Sequence, residues 1–427
     1  MSLTFHQNII LEDSLEILKT SRRLLIKGSA GVGKTYMVNE LIKKLSGKIP
    51  MKRKIYCSAP TNKAVKVIKD KVDKKPNLEF ITTHSALKLK RTINFKTGVV
   101  TFKPYFSDKY PPLDKVDLFI IDEASMIPTF ILNRIEEYAS IYDVTVVFIG
   151  DEKQINPVGE EESPVFHKGY PTVELTEIVR QEEGNPIIDL SRNLHKIKFK
   201  TDDLLENNTK GYLYSNNTTK LIHELAKVNG TDEMKYLSWT NSDVNAINEA
   251  VRKEIYGEPR KIEEEETLIF NSPYDLIFFT NEEIKVNSLE VSTDSFKYSY
   301  NSRGKLYPSD GEEPKTKIVK LKYYLINESV IVIHEDSEKA LKEVLSLMKS
   351  KCIERTISWK DFFEFSEQFA DLKYNHAITI HKSQGSTYKN AIINFKNINL
   401  NKNDKEKKRL MYTAITRASN LLIIYNT

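Results

Sequence analysis

Between an apolar run, Leu24-Leu25-Ile26, and a helix-period series, Met37, Val38, Leu41, Ile42 and Leu45, the chain places GSAGVGKT at residues 28 to 35. A strand that turns through glycines straight into a helix commits this region to an α/β layer. The same eight residues satisfy G-x-x-x-x-G-K-[ST], a pattern whose backbone N–H groups can cradle phosphate at a helix N-terminus. Gly28, Ser29, Ala30, Gly31, Val32 and Gly33 form that cradle, Lys34 reaches the β and γ phosphates, and the Thr35 hydroxyl ligates Mg²⁺. ATP and Mg²⁺ are therefore the expected nucleotide and metal.

The strand and helix alternation continues. KIYCSA ends at Pro60, and a basic helix follows with Ala64, Val65, Ile68 and Val72 on one face. LFIID, VTVVFIG and VELT are further strand-like runs with helical stretches between them, which predicts a parallel sheet covered by helices. A second α/β pattern begins near Tyr236 and resumes in HAITI, AIINF and LLIIY. We expect residues 1–180 to form the first domain and 181–272 with 356–427 the second. A β-rich domain, 273–355, is inserted between the two parts of the second. Residues 88–112 interrupt the first pattern with hairpin character around Thr97-Gly98.

Composition narrows the classes. At 427 residues with 40% hydrophobic and 29% charged residues, the chain is in the folded globular range. No apolar run approaches the roughly 20 residues of a membrane helix. Two distant cysteines, Cys57 and Cys352, and no charged-then-apolar leader fit a reducing, cytoplasmic setting. The net charge of +5 hides an asymmetry, because residues 1–120 alone hold 24 Lys and Arg against 10 Asp and Glu. A polyanionic partner on one face would explain it, and so would solvated Lys-rich helices.

Asp122 and Glu123 end a buried strand, where the first acid can hold Mg²⁺ and the second can orient an attacking water. A helix cap is the plainer use of such a pair. Gln154, after the next strand in GDEKQ, offers a neutral amide to a γ-phosphate or simply forms a polar turn.

Read in order, GSAGVGKT, SAPTNKAVKVI, TTHSAL, IIDEAS, GDEKQINPV, LTEIVRQ, ITIHKSQGST and MYTAITRAS resemble the motif set of superfamily 1 DNA helicases. The resemblance is strongest to the RecD-like group, phage members included, and runs from Leu3 to Tyr425. It implies two RecA-like P-loop domains with parallel sheets, a β-hairpin pin in the first and a small SH3-like β insertion in the second. By the same resemblance Gln7 reads adenine, Arg180 and Arg417 reach the γ-phosphate, and Gln384 and Gly385 couple the nucleotide site to the nucleic acid. Pro60, Thr61, Thr83, His84, Thr379 and His381 would line a single-strand track. Phe102, with Phe95, Tyr105 and Phe106, is a candidate for stacking on the last base pair, or these rings form the hairpin's own core.

The resemblance implies a monomeric helicase that moves 5′ to 3′ on single-stranded DNA and opens forked duplex, alone or with replication, recombination or repair proteins. Residue chemistry does not fix the polarity. A nucleic-acid-dependent ATPase that clamps or displaces proteins without separating strands is the rival reading.

Overall fold

The computed structural model describes residues 3–47, 49–93, 100–105, 111–177, 186–194, 211–275, 277–278, 280–301, 315–354 and 356–426. Its first half is built on β1 (Arg23–Gly28), β2 (Lys54–Ala59), β3 (Leu78–Thr82), β4 (Leu89–Ile93), β5 (Val100–Pro104), β6 (Val116–Ile121), β7 (Thr145–Gly150) and β8 (Thr172–Leu175). Six of these make one parallel sheet in the order β3-β2-β6-β7-β1-β8. Helices α1 (Phe5–Thr20), α2 (Lys34–Ser46), α3 (Asn62–Lys69), α4 (Thr83–Ala86) and α5 (Thr129–Ile141) accompany it.

A strand sends alternate side chains to opposite faces, and both faces here are covered. Ile55, Cys57, Leu118, Ile120, Val147 and Ile149 pack with α1, α2 and α3. Phe119, Ile121, Val146 and Phe148 pack with α5. The strands therefore read as continuous apolar runs, which is why the sequence showed them plainly.

The second half contains α6 (Pro186–Arg192), β9 (Gly211–Ser215), α7 (Thr218–Val228), β10 (Met234–Ser238) and α8 (Asn241–Tyr256). Further along come β11 (Thr267–Phe270), β12 (Glu283–Lys285), β13 (Leu289–Asn301), β14 (Lys315–Ile326), β15 (Val330–Ile333), α9 (Glu338–Ile353) and α10 (Trp359–Ser366). The chain finishes through β16 (Leu372–Tyr374), β17 (Ala377–Thr379), β18 (Tyr388–Asn394), α11 (Phe395–Asn399), α12 (Asp404–Ile415) and β19 (Ala418–Tyr425). A second parallel sheet has the order β17-β10-β18-β19-β9. It starts earlier than Tyr236, because β9 and α7 precede that residue.

The β-rich texture also extends past the expected 273–355. β11 pairs antiparallel with both β12 and β16, so strands on either side of those bounds share one sheet. β13, β14 and β15 form another antiparallel sheet, and α9 and α10 lie on it through Met348, Trp359 and Phe365. The Arg252–Glu266 ion pair, only 5% and 0% exposed, fastens α8 to the start of β11. Short strands paired across a hundred residues leave no local signal in the sequence. In the 88–112 segment β4 and β5 pair antiparallel from Leu89↔Pro104 to Ile93↔Val100. Phe95 and Phe106 lie outside the described residues.

Candidate active site and nucleic-acid interface

The C-terminal ends of β1, β6 and β7 open into a cleft with about 620 Å³ of open space. Ala30, Gly31, Gly33, Lys34 and Thr35 line it, with Asp122, Glu123 and Gln154. The opposite wall is Gly385, Ser386, Thr387, Thr416 and Arg417 from the second half. Ligand clefts of open parallel sheets lie at this carboxyl edge.

The phosphate loop takes its shape from glycine. Gly31 and Gly33 have φ of 86° and 82°, in the left-handed region, and Gly33 stands at the N-cap of α2. A Cβ on Gly33 would come within 2.5 Å of Gln7 Nε2. Lys34 is the first residue of α2, and its Nζ donates to Gly28 O at 2.8 Å and Ser29 O at 3.0 Å, so the lysine is folded onto its own loop. Val32 sends its side chain into the core, and only its backbone is available to a ligand.

Gln7 is 1% exposed. Its Oε1 accepts from Thr4 N to cap α1, and its Nε2 donates to Val32 O at 3.2 Å. The glutamine thus braces the phosphate loop from behind.

Asp122 follows β6, and its Oδ1 accepts the Glu123 N–H at 2.8 Å. Glu123 has φ of 55°, so its side chain leaves a turn rather than a helix. Burial first, and then the Asp122 charge, pushes its carboxyl up to about 7. Among the described residues no cluster of three His, Cys, Asp or Glu side chains could cage a metal. Mg²⁺ needs no such cage, since a carboxylate, a hydroxyl and substrate phosphates suffice, and Asp122 and Thr35 line the same cleft. The buried Gln154 Oε1 has no hydrogen-bond donor among the described residues. An amide oxygen of this kind suits an attacking water.

Arg417 is 5% exposed and is held by its own half of the chain. Its Nε donates to Thr413 O at 3.0 Å and its Nη1 to Ser386 O at 2.9 Å. The Arg180 assignment lies outside the described residues. Gly385 requires its glycine twice over, for a φ of 74° and because a Cβ would lie 2.9 Å from Ala64 Cβ. Gln384 does not line the cleft. Its Nε2 donates instead to Ile155 O in the other half at 3.1 Å.

Sequence reading missed a clasp around residues 151–155. Arg409, Tyr412 and Thr413 occupy one face of α12 at helical spacing. Arg409 Nη1 donates to the carbonyls of Glu152 and Gln154, and Thr413 Oγ1 accepts from Ile155 N at 3.3 Å. The Tyr412 hydroxyl donates to Asp151 Oδ2 at 2.5 Å and accepts from Ala30 N at 3.3 Å. Tyr412 was present in MYTAITRAS, but only the fold brings it to the phosphate loop.

Expected track residues sit at strand ends of both sheets. Thr61 caps α3 by accepting from Ala64 N, directly after Pro60, and Thr379 ends β17 and accepts from Lys382 N. His84 and His381 are partly buried, and burial lowers both pKa values, which favours neutral imidazoles that hydrogen-bond rather than cations. Thr83 is a correction. It is fully buried with its Oγ1 3.2 Å from Ser58 Oγ, and it cannot meet a strand at the surface. The preceding Thr82 is more open and caps α4. Phe102 is 44% exposed on β5, and its ring contacts His84. Tyr105 is likewise exposed.

Comparison with known proteins agrees with this layout. A family model described as an AAA domain matches residues 12–213, and one described as a UvrD-like helicase C-terminal domain matches 374–425. The chain is 27% identical to an uncharacterised protein of Acanthamoeba polyphaga mimivirus, over 94% of this chain and 95% of the relative. It is 25% identical to the ATP-dependent DNA helicase dda of Enterobacteria phage T4, over 96% and 95%. It is 24% identical to the RecBCD enzyme subunit RecD of Buchnera aphidicola, over 95% of this chain and 70% of that one. The Pif1 helicase of Candida albicans has a similar fold, with a TM-score of 0.52 at 18% identity, over 99% of this chain and 94% of that one. With its ordered motifs and these matches the chain is similar to superfamily 1 helicases of the RecD-like group, and its α/β fold of two parallel sheets resembles that of Pif1.

Proposed function

We propose that this protein is an ATP-dependent DNA helicase that moves 5′ to 3′ on single-stranded DNA and separates duplex ahead of it. The observation that carries the reading is the cleft in which Lys34, Thr35, Asp122, Glu123 and Gln154 face Arg417 from the other half of the chain. Such a site is complete only when the two halves close on ATP, so binding and hydrolysis alternate their separation. Glu123 orients the water, Gln154 reports the terminal phosphate, and Arg417, with Arg180 as its counterpart, stabilises charge on the transferring group. Mg²⁺ held by Thr35 and Asp122 neutralises phosphate charge when bound. Gln7, whose amide is already engaged by Thr4 and Val32, supports the phosphate loop rather than meeting the base.

The relatives support the substrate class. The phage T4 relative is named an ATP-dependent DNA helicase, and one Bacteroides Pif1 structure of similar fold is described as bound to single-stranded DNA. In our reading residues 1–180 are one RecA-like domain, 181–272 and 356–427 the other, and 273–355 the heart of an SH3-like insertion. DNA passes over Pro60, Thr61 and His84 to Thr379 and His381, and the β4–β5 hairpin is the pin. The protein acts as a monomer in the cytoplasm of a bacterial or phage-infected cell.

The test is unwinding of forks carrying one single-stranded tail, beside ATPase with and without single-stranded DNA. A 5′ tail should support unwinding and a 3′ tail should not. Stimulated ATPase without strand separation on either fork would favour the protein-displacing reading.

A further inference from the structure

The phosphate loop is bonded by groups of the protein itself. Lys34 donates to the loop's own carbonyls, and the Ala30 N–H donates to the hydroxyl of Tyr412, a residue of the other half of the chain. That hydroxyl is the middle of a hydrogen-bonded chain, since it donates in turn to Asp151 Oδ2 at 2.5 Å. Tyr412 and Asp151 are 4% and 3% exposed, so water does not compete for these bonds. Ala30 lines the cleft together with Glu123, Gln154 and Arg417, the pole at which the terminal phosphate is cleaved.

We propose that Tyr412 is a terminal-phosphate sensor, whose hydroxyl holds the place of a γ-phosphate oxygen on the Ala30 N–H and is displaced when ATP, but not ADP, binds. This rests on the nucleotide-hydrolysis reading of the cleft and adds a residue that reports its state. An ionised phosphate oxygen is a stronger acceptor for the same N–H than a neutral phenol, so ATP wins the exchange. ADP lacks the competing group. Once released, Tyr412 loses its hold on both Ala30 and Asp151, while Arg409 and Thr413 keep α12 on residues 152–155. The helix that ends just before Arg417 is thereby freed at one of its three anchor points and not at the others. Asp151 retains the Lys153 N–H at 3.1 Å, and its carboxylate is not stranded.

The test compares Tyr412→Phe with the unmodified full-length protein, titrated with Mg²⁺ and either ATPγS or ADP. Phenylalanine keeps the ring and removes the competing hydroxyl. ATPγS should bind roughly 3- to 10-fold more tightly, the worth of one neutral hydrogen bond, while ADP affinity should change by less than about two-fold. Asp151→Asn, which weakens the acceptor and keeps the shape, should move ATPγS in the same direction by less. Equal tightening of both nucleotides would overturn the sensor, and so would unchanged or weaker ATPγS binding in both variants. Failure of the unmodified protein to bind either nucleotide would remove the reading of the cleft itself, and the sensor with it.

Discussion

The rings of His84 and Phe102 lie with centroids 4.4 Å apart and planes tilted by 42°. One belongs to α4 at the edge of the first parallel sheet, and the other to β5 of the antiparallel pair. The contact fixes the hairpin against His84, and if His84 lines the proposed track, a base leaving it would meet an aromatic face at once. Phe102→Ala should therefore reduce fork unwinding by about 5- to 100-fold, the range of one base–aromatic stack, and leave stimulated ATPase within about three-fold. A matched fall in both activities would place Phe102 in the fold of the track instead.

Lys34→Ala and Glu123→Gln separate binding from chemistry. The first should abolish hydrolysis and leave single-strand binding in place, since Lys34 lies in the phosphate loop and not at the expected track. The second keeps the side-chain shape and should lower kcat by at least about 100-fold with nucleotide affinity retained. Near-normal turnover in Glu123→Gln would assign the water to another residue.

Arg417→Ala should depress kcat by about 10³-fold or more, with a much smaller effect on ATP affinity, as expected of a group that acts in the transition state. Because Arg417 also bonds the carbonyls of Thr413 and Ser386, the variant should melt a few degrees lower. Calorimetry beside steady-state kinetics separates the two effects.

Glu266→Ala strands the buried guanidinium of Arg252, which also lies 3.9 Å from the Tyr374 ring centroid. The expected loss is about 3 to 5 kcal/mol of stability, read from urea unfolding. Replacing both partners by apolar residues of similar volume should restore most of it.

His376 predicts a pH dependence. It is 1% exposed with neither ring nitrogen hydrogen-bonded among the described residues. Burial first, then Lys235 on β10 and Arg252 on α8, pushes it down to about 4. The unfolded chain then binds a proton at higher pH than the folded one. Stability present above the unfolded value of about 6.5 is lost as pH falls toward 4, by up to about 3 kcal/mol. Denaturant titrations between pH 7 and 4 should show that slope, and His376→Gln should flatten it.

What was legible depended on where the information lies in the chain. GSAGVGKT, LFII and VTVVFIG are local signals, because a buried parallel strand is apolar on both faces and a phosphate loop needs its glycines in one stretch. β11 and β16 are four and three residues long and meaningful only as partners, so their pairing cannot be read from either segment alone. Thr83 and Thr82 differ by one position on a strand-to-helix turn, a distinction set by φ and ψ rather than by residue type. Tyr412 is apolar in appearance, and nothing near it in sequence announces that its hydroxyl meets Ala30.

The placement of β10 bears on how the chain is made. Its two neighbours in the sheet, β17 and β18, lie more than a hundred residues downstream. During synthesis β10 and α8 emerge long before either partner exists, whereas β1 to β8 are all within the first 175 residues. The amino-terminal half can complete its sheet on the ribosome, but the other half must wait for the last strands with apolar edges uncovered. Loop closure of that length slows folding and exposes aggregation-prone edges. Internal deletions that remove β17 or β18 should therefore yield a soluble amino-terminal half joined to an unfolded, protease-sensitive remainder.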